Sequence, residues 1–255
     1  MRKTRKKAKS FGAVAAWVLA LSLSGWLRAA ELQAVKLNPP DLKRGLPFMQ
    51  ALSVKASARE YSEKELSLQD LSDLLWAADG INRPAENKST ASSAMNAHDI
   101  RIYVFMKEGV YLYDPPKHEL APVLAGDYRA QILIARPPRP AAAPPPPGAP
   151  ATGVTPPAPA SASTPPPPPP APSNPPIQII LVSDSERFRM GTPEMKREMG
   201  ALDAGIVSQN ISLFCAATGL KTRPRASVDK ARIKDLLKLA DSQNIFLNHP
   251  VGYAK

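Results

Sequence analysis

The chain has 255 residues, with 33 Lys and Arg against 22 Asp and Glu for a net charge of +11, 30 prolines and one cysteine. Seven of the cations and none of the acids stand in residues 1–30; setting that segment aside lowers +11 to +4 and leaves no concentrated basic stripe, which argues against nucleic-acid binding. A lone Cys215 excludes an internal disulfide, and His98, His118 and His249 lack metal-ligand spacing, so the core alone must hold the fold and no metal is expected.

Residues 1–30 read as an export signal, because Arg2, Lys3, Arg5, Lys6, Lys7 and Lys9 precede an apolar run from Phe11 to Leu27 that carries no charge. The expected location is periplasmic or otherwise exported. A cut after Ala30 puts Arg28 at an unfavourable position, so the alternative is an uncleaved anchor, the one membrane contact expected. After a short lead segment, 31–45, Pro47 suits the first position of a helix with Phe48, Met49 and Leu52. Ser67 suits the cap of a second helix, where Leu68, Leu71, Leu74, Leu75 and Ala78 recur at helical spacing. Glu63, Glu65, Asp70 and Asp73 suit its solvated face. Ile100 to Phe105 and Val110 to Tyr113 are β-rich runs joined by Met106-Lys107-Glu108-Gly109, the pattern of a hairpin.

Residues 137–176 hold 20 prolines in 40 positions, with Arg139 the only charge. Such a stretch cannot build a core, and a disordered, partly polyproline-II strap is expected. Ile177 to Val182 and Asn244 to Tyr253 supply two further strands. Between them Thr192 as cap, Pro193 as first residue and Gly219 as stop bound a helix about 39 Å long. Met195, Met199, Leu202, Ile206, Leu213 and Phe214 make it apolar over much of its surface, which suits a spine between two subunits. On this rod Cys215 is expected as a buried, inert thiol, and Ser208, Gln209 and Asn210 are expected to find partners in one another, the backbone or a second subunit. Val228 to Leu239 forms a last short helix, with Ser227 as its cap.

Lys55-Ala56-Ser57-Ala58-Arg59 sets two cations and a hydroxyl within five residues near a helix end, which suits a phosphate. In order, Lys55 to Tyr61, the run from Leu71 through Leu74-Leu75-Trp76-Ala77-Ala78 to Gly80-Ile81-Asn82-Arg83-Pro84, and the turn Ser92-Ser93-Ala94-Met95-Asn96 resemble the nitroreductase family of FMN enzymes. The branch they are most similar to is that of the thiazole/oxazole-forming peptide dehydrogenases. Gly126-Asp127-Tyr128-Arg129-Ala130-Gln131, Ala204 to Ile211 and Thr218-Gly219-Leu220 extend the resemblance.

The resemblance implies an α+β fold, with a small mixed or antiparallel sheet flanked by helices and the long helix at a homodimer interface. It makes 46–136 and 177–255 one discontinuous domain with 137–176 as an insertion, a tolerable arrangement because closure cost grows slowly with loop length. It implies bound FMN and hydride transfer through it to a small molecule, chemistry that belongs to the flavin, so no catalytic side chain is assigned. Lys55, Ser57 and Arg59 are implied at the phosphate, ribityl chain and pyrimidine end, where a cation favours the anionic reduced ring. Ser92, Ser93 and Asn96 are implied to reach the flavin across the dimer, Gln131 to lie near the ring, Arg225 to pass its face beside Arg223, and Lys255 to close the site. Ser92 and Ala254 stand where the family has proline, and His98 where it has glutamine. The alternative is therefore a degenerate, non-catalytic member, exported as an envelope or interaction protein whose proline strap binds.

Overall fold

The computed structural model describes residues 31–134 and 175–255. The export-signal reading and the proline-rich segment up to residue 174 lie outside the described residues. In chain order the elements are β1 (Val35–Lys36), α1 (Phe48–Val54), α2 (Leu68–Asp79), β2 (Ile81–Arg83), β3 (Lys88–Ser89), β4 (Ile100–Phe105), β5 (Gly109–Asp114) and β6 (Glu119–Ala125). After the proline-rich segment come β7 (Ile177–Asp184), α3 (Pro193–Thr218), β8 (Lys221–Thr222), α4 (Lys230–Leu237) and β9 (Gln243–Gly252).

Seven strands form one sheet in the order β1-β6-β5-β4-β7-β9-β8, and every neighbouring pair in it is antiparallel. β4 and β7, from either side of the proline-rich segment, pair over six residues from Ile100↔Ser183 to Phe105↔Gln178. The central strands are apolar on both faces, as expected where helices cover a sheet on two sides. In β4, Ile102 and Val104 join the cluster under α2 and α3, while Tyr103 and Phe105 join the cluster beneath α4. β7 divides in the same way, with Ile179 and Leu181 on one side and Ile180 and Val182 on the other. Each such side chain contributes about 1.5–3 kcal/mol by burial.

The caps explain where the helices start. Thr192 accepts from Met195 N and Gly219 closes α3 in the left-handed region at φ 79°. Ser67 accepts from Asp70 N at the start of α2. Two expectations are corrected here. The last helix begins at Lys230, because Asp229 Oδ1, and not Ser227, accepts from Arg232 N at 2.9 Å. Pro47 precedes α1 as its cap residue and is not its first helical residue.

Asp70 and Asp73 do not form a solvated face: both are buried, and Arg44 from the lead segment bridges them. β6 escaped the sequence reading because Pro122 interrupts it. The proline sits where β6 is least constrained: β1 covers β6 only at Glu119 and Leu120, and the ladder with β5 shifts register directly after Tyr111↔Pro122. At the far end of the proline-rich segment Pro175 and Pro176 are buried, and their carbonyls accept from Arg129 Nη1 at 3.2 and 2.9 Å.

Candidate functional site

A cavity of about 810 Å³ lies between the end of α1, the segment Ala56–Glu60, the last two turns of α3 and the C-terminus. Chain geometry makes its wall. α1 ends at Val54 with Lys55 already extended, and Ser57 then bridges Thr222 in parallel while Ala58 N donates to Thr222 O at 3.0 Å. Ser57, Ala58 and Arg59 thus run along the outer edge of the sheet. On the opposite wall Ser212, Cys215, Ala216 and Gly219 present small side chains, so the cavity reaches close to the helix. Ala254 and Lys255 close one side, just past Tyr253.

Ser57, Arg59 and Lys255 are brought together on this cavity, and Lys55 lies between two of its lining residues, Val54 and Ala56. Lys221 lines it as well and was missed. The available signal was its position directly after the helix exit Gly219-Leu220. Glu60 is the one acid on the wall, so the rim is strongly cationic. Such a rim suits a dianionic phosphate, and the cavity volume falls within the range of cofactor pockets. The residues present therefore fit FMN. Cys215 is 1% exposed and burial pushes its thiol up, so it stays protonated and forms wall. His249 is buried with both ring nitrogens occupied, by Thr222 Oγ1 at 3.1 Å and Ser208 Oγ at 2.8 Å. Burial lowers it to about 3, so it is neutral and braces β9 against α3. Asn210 reaches the carbonyls of Ala78 and Thr90, which accounts for two of the three polar residues on the rod.

Ser92, Ser93 and Asn96 stand elsewhere. Their turn sits over the N-terminal half of α3, where Ala94 N donates to both oxygens of Asp203 at 2.8 and 3.1 Å. Asp203 precedes Cys215 by twelve residues, about 18 Å along the helix. Met95, Asn96 and His98 all have φ near 50°, a left-handed conformation that costs non-glycine residues energy and persists only when neighbours enforce it. The neighbours are identifiable: Ser93 Oγ accepts from His98 N at 2.9 Å, Lys88 Nζ donates to Asn96 Oδ1, and Arg187 Nε donates to Ala97 O at 3.1 Å. Beneath it Asp99 is fully buried, and its carboxyl is raised first by desolvation and then by Asp203.

Gln131 and Arg225 do not line the cavity. Gln131 Oε1 accepts from Arg232 of α4 at 2.6 Å. Arg225 Nη2 donates to Asn248 Oδ1 at 3.0 Å and Gln178 Oε1 at 3.4 Å, and its backbone pairs with Asn248. Among the described residues no group of three or more His, Cys, Asp or Glu could hold a metal.

An α+β domain with a seven-stranded antiparallel sheet, a 26-residue helix along it and a cation-rimmed cavity at that helix's C-terminal end defines the class. Residues 53–253 match the Nitroreductase family, and the chain belongs to it. A Methanocaldococcus jannaschii protein assigned as a nitroreductase is 24% identical over 224 residues, covering 86% of this chain and 96% of that one. A crystal structure of a Ralstonia eutropha protein, also assigned as a nitroreductase, matches with a TM-score of 0.68 at 24% identity, over 88% of this chain and 90% of that one. A chain of the Escherichia coli microcin synthetase McbBCD complex shares the fold with a TM-score of 0.57 at 14% identity, over 97% of this chain and 85% of its own.

Proposed function

We propose that the protein is an exported, homodimeric FMN oxidoreductase that passes a hydride from a donor through the flavin to a small organic acceptor. The cation-rimmed cavity carries this reading. Arg59, Lys221 and Lys255 on the wall, with Lys55 beside it, offer positive charge and Ser57 a hydroxyl for the phosphate and ribityl chain, while the small residues of α3 leave room for a ring. FMN, when bound, supplies the redox chemistry; the chain binds it, orients it and excludes water.

The exposed face of α3 and the distance to the turn support the dimer in this reading. Leu202 is 64% exposed, Met195 and Ile206 are exposed on the same side, and a Cβ on Gly205 would meet nothing within 4 Å. Phe48 and Met49 of α1 are largely exposed as well. Apolar side chains exposed together on one helix face suit an interaction site. A two-fold axis across α3 sets two helices antiparallel, so that Ser92, Ser93 and Asn96 of one copy approach the cavity of the other. In the same reading 46–136 and 177–255 form one domain, and 137–176 is an insertion in one of its loops.

The test is the visible spectrum of the purified chain and its titration with FMN. Flavin bands, or saturable FMN uptake, are expected, with the Lys55→Ala, Arg59→Ala double variant binding at least a hundredfold more weakly at unchanged thermal stability. A colourless protein that takes up no added FMN would leave the degenerate, non-catalytic alternative.

A further inference from the structure

A second cavity, of about 350 Å³, opens where β4 and β5 separate. The two strands pair only from Tyr103↔Leu112 to Phe105↔Val110. β4 nevertheless runs back to Ile100 along β7, and β5 runs on to Asp114 along β6, so their ends splay apart. On the register of the paired part Arg101 belongs opposite Asp114, but the ladder stops before them. Both residues line the gap instead.

The walls of this gap have two characters. Ile81, Ile100, Leu112 and Ala121 make one side apolar, and Arg101 and Arg187 make the other cationic, with His98 beside them held toward its neutral form by burial and then by Arg187 and Lys88. Two nitrogens on the cationic side, His98 Nε2 and Arg101 Nε, are buried without a hydrogen-bond partner among the described residues. Arg101 Nε is a donor whatever its surroundings; a buried donor left in that condition is costly, and a ligand that supplies an acceptor recovers the loss. No carboxylate among the described residues ion-pairs with Arg101 or Arg187. The acids on the wall do not offset them. Asp114 is held by Lys117 at 3.1 Å, and Asp79 is pushed up to about 7, first by burial and further by Asp203 against a hydrogen bond from Ser89. Tyr113 offers no donor to the gap, because its hydroxyl is taken by His118 Nδ1 at 2.9 Å.

We propose that this splay binds a small carboxylate with a short apolar body, its acid group on Arg101 and Arg187 and its body against Ile81, Ile100, Leu112 and Ala121. Guanidinium is the group matched to a carboxylate in two-point geometry, and a volume of about 350 Å³ lies at the small end of ligand sites. The site shares no lining residue with the flavin cavity and does not rest on the flavin reading.

Titration calorimetry of the full chain with benzoate, with and without added FMN, tests this. One saturable site is expected, indifferent to FMN, at least tenfold weaker for the uncharged benzamide and at least tenfold weaker in Arg101→Gln. Arg187 is exposed, so Arg187→Gln carries the same test if the Arg101 variant does not fold. Absence of saturable benzoate binding, equal affinity for benzamide, competition by FMN, or affinity unchanged in both arginine variants would each overturn the proposal.

Discussion

Replacing Arg44 with alanine removes a contact that ties the lead segment to the body of the domain. Arg44 Nη1 donates to Asp73 Oδ2 at 2.8 Å and Nη2 to Asp70 Oδ1 at 2.5 Å, onto side chains 3% and 12% exposed. The guanidinium also lies 5.7 Å over the Phe214 ring. Breaking a buried pair by removing one member costs about 3–5 kcal/mol. Two facts reduce that here. Arg44 is itself 25% exposed, and each carboxylate keeps other donors: Ser67 and Tyr253 for Asp70, Asp41 N and Gln69 for Asp73. The expected loss is about 2–3 kcal/mol, or about 5–10 °C in Tm for a domain of this size. Urea unfolding measures it, and a double-mutant cycle with Asp73→Asn should return a coupling of about 1 kcal/mol or more.

The pH dependence of this contact has a definite sign. Burial, the largest single influence, acts to raise Asp70, but hydrogen bonds from Ser67, Tyr253 and Arg44 together outweigh it and hold the folded value below the ordinary one. The contribution is therefore complete above about pH 4 and is lost as pH falls through the folded value. The deficit of Arg44→Ala should be larger at pH 7 than at pH 3. A deficit under about 1 kcal/mol at pH 7, or one equal at the two pH values, would refute the assignment.

The dimer surface is tested by Leu202→Arg with Ile206→Arg, which should give a monomer in sedimentation and lower FMN affinity through loss of the partner's turn; a variant that remains dimeric places the interface elsewhere. Asp79, raised to about 7, holds a proton in the folded state between about pH 4 and 7 that the unfolded chain releases, so its folded-state contribution falls as pH rises through that window. Asp79→Asn should accordingly stabilise by about 2–4 kcal/mol at pH 8 and by nothing at pH 4; a difference that does not vary with pH in urea titrations contradicts this. Deleting residues 140–174 should leave soluble protein with Tm within about 2 °C of the parent, since a long loop adds little closure cost. Insoluble protein on that deletion would show that the segment is more than an insertion.

What the sequence made legible is what local chemistry controls. α3 was bounded correctly because Thr192, Pro193 and Gly219 act on their own neighbours, and the hairpin of β4 and β5 because β-rich runs flank a short turn. Elements of two or three residues, such as β1 and β8, carry no period and exist only because an established strand is beside them. Asp70 and Asp73 looked solvated because nothing in their own helix shows that Arg44, some 26 residues earlier, folds back over them. The site divides along the same line. Lys55, Ser57 and Arg59 lie in one stretch of chain and were found together. Lys221 joins them through the pairing of Thr222 with Ser57, which no local pattern encodes.

The same distinction weighs the departures at Ser92 and Ala254 from the family pattern. A proline at Ser92 rigidifies a turn through its own ring, so its loss suggests a loosened site. In this chain the turn is fixed from below instead, by Asp203 on Ala94 N, Ser93 on His98 N and Arg187 on Ala97 O, tightly enough to keep three non-glycine residues left-handed. Rigidity lost in the covalent chain is thus supplied by the tertiary structure. Ala254 differs, for it lies on the cavity wall itself, and what precedes it is anchored: Tyr253 OH donates to Asp70, and Ser62 N to Tyr253 O at 3.0 Å. The strand end is therefore held up to residue 253, and restoring proline at 254 should tighten FMN binding only by restricting Lys255. A gain of a few fold in affinity with unchanged Tm is expected for Ala254→Pro. A large gain in Tm would mean that the C-terminus is anchored less firmly than these hydrogen bonds imply.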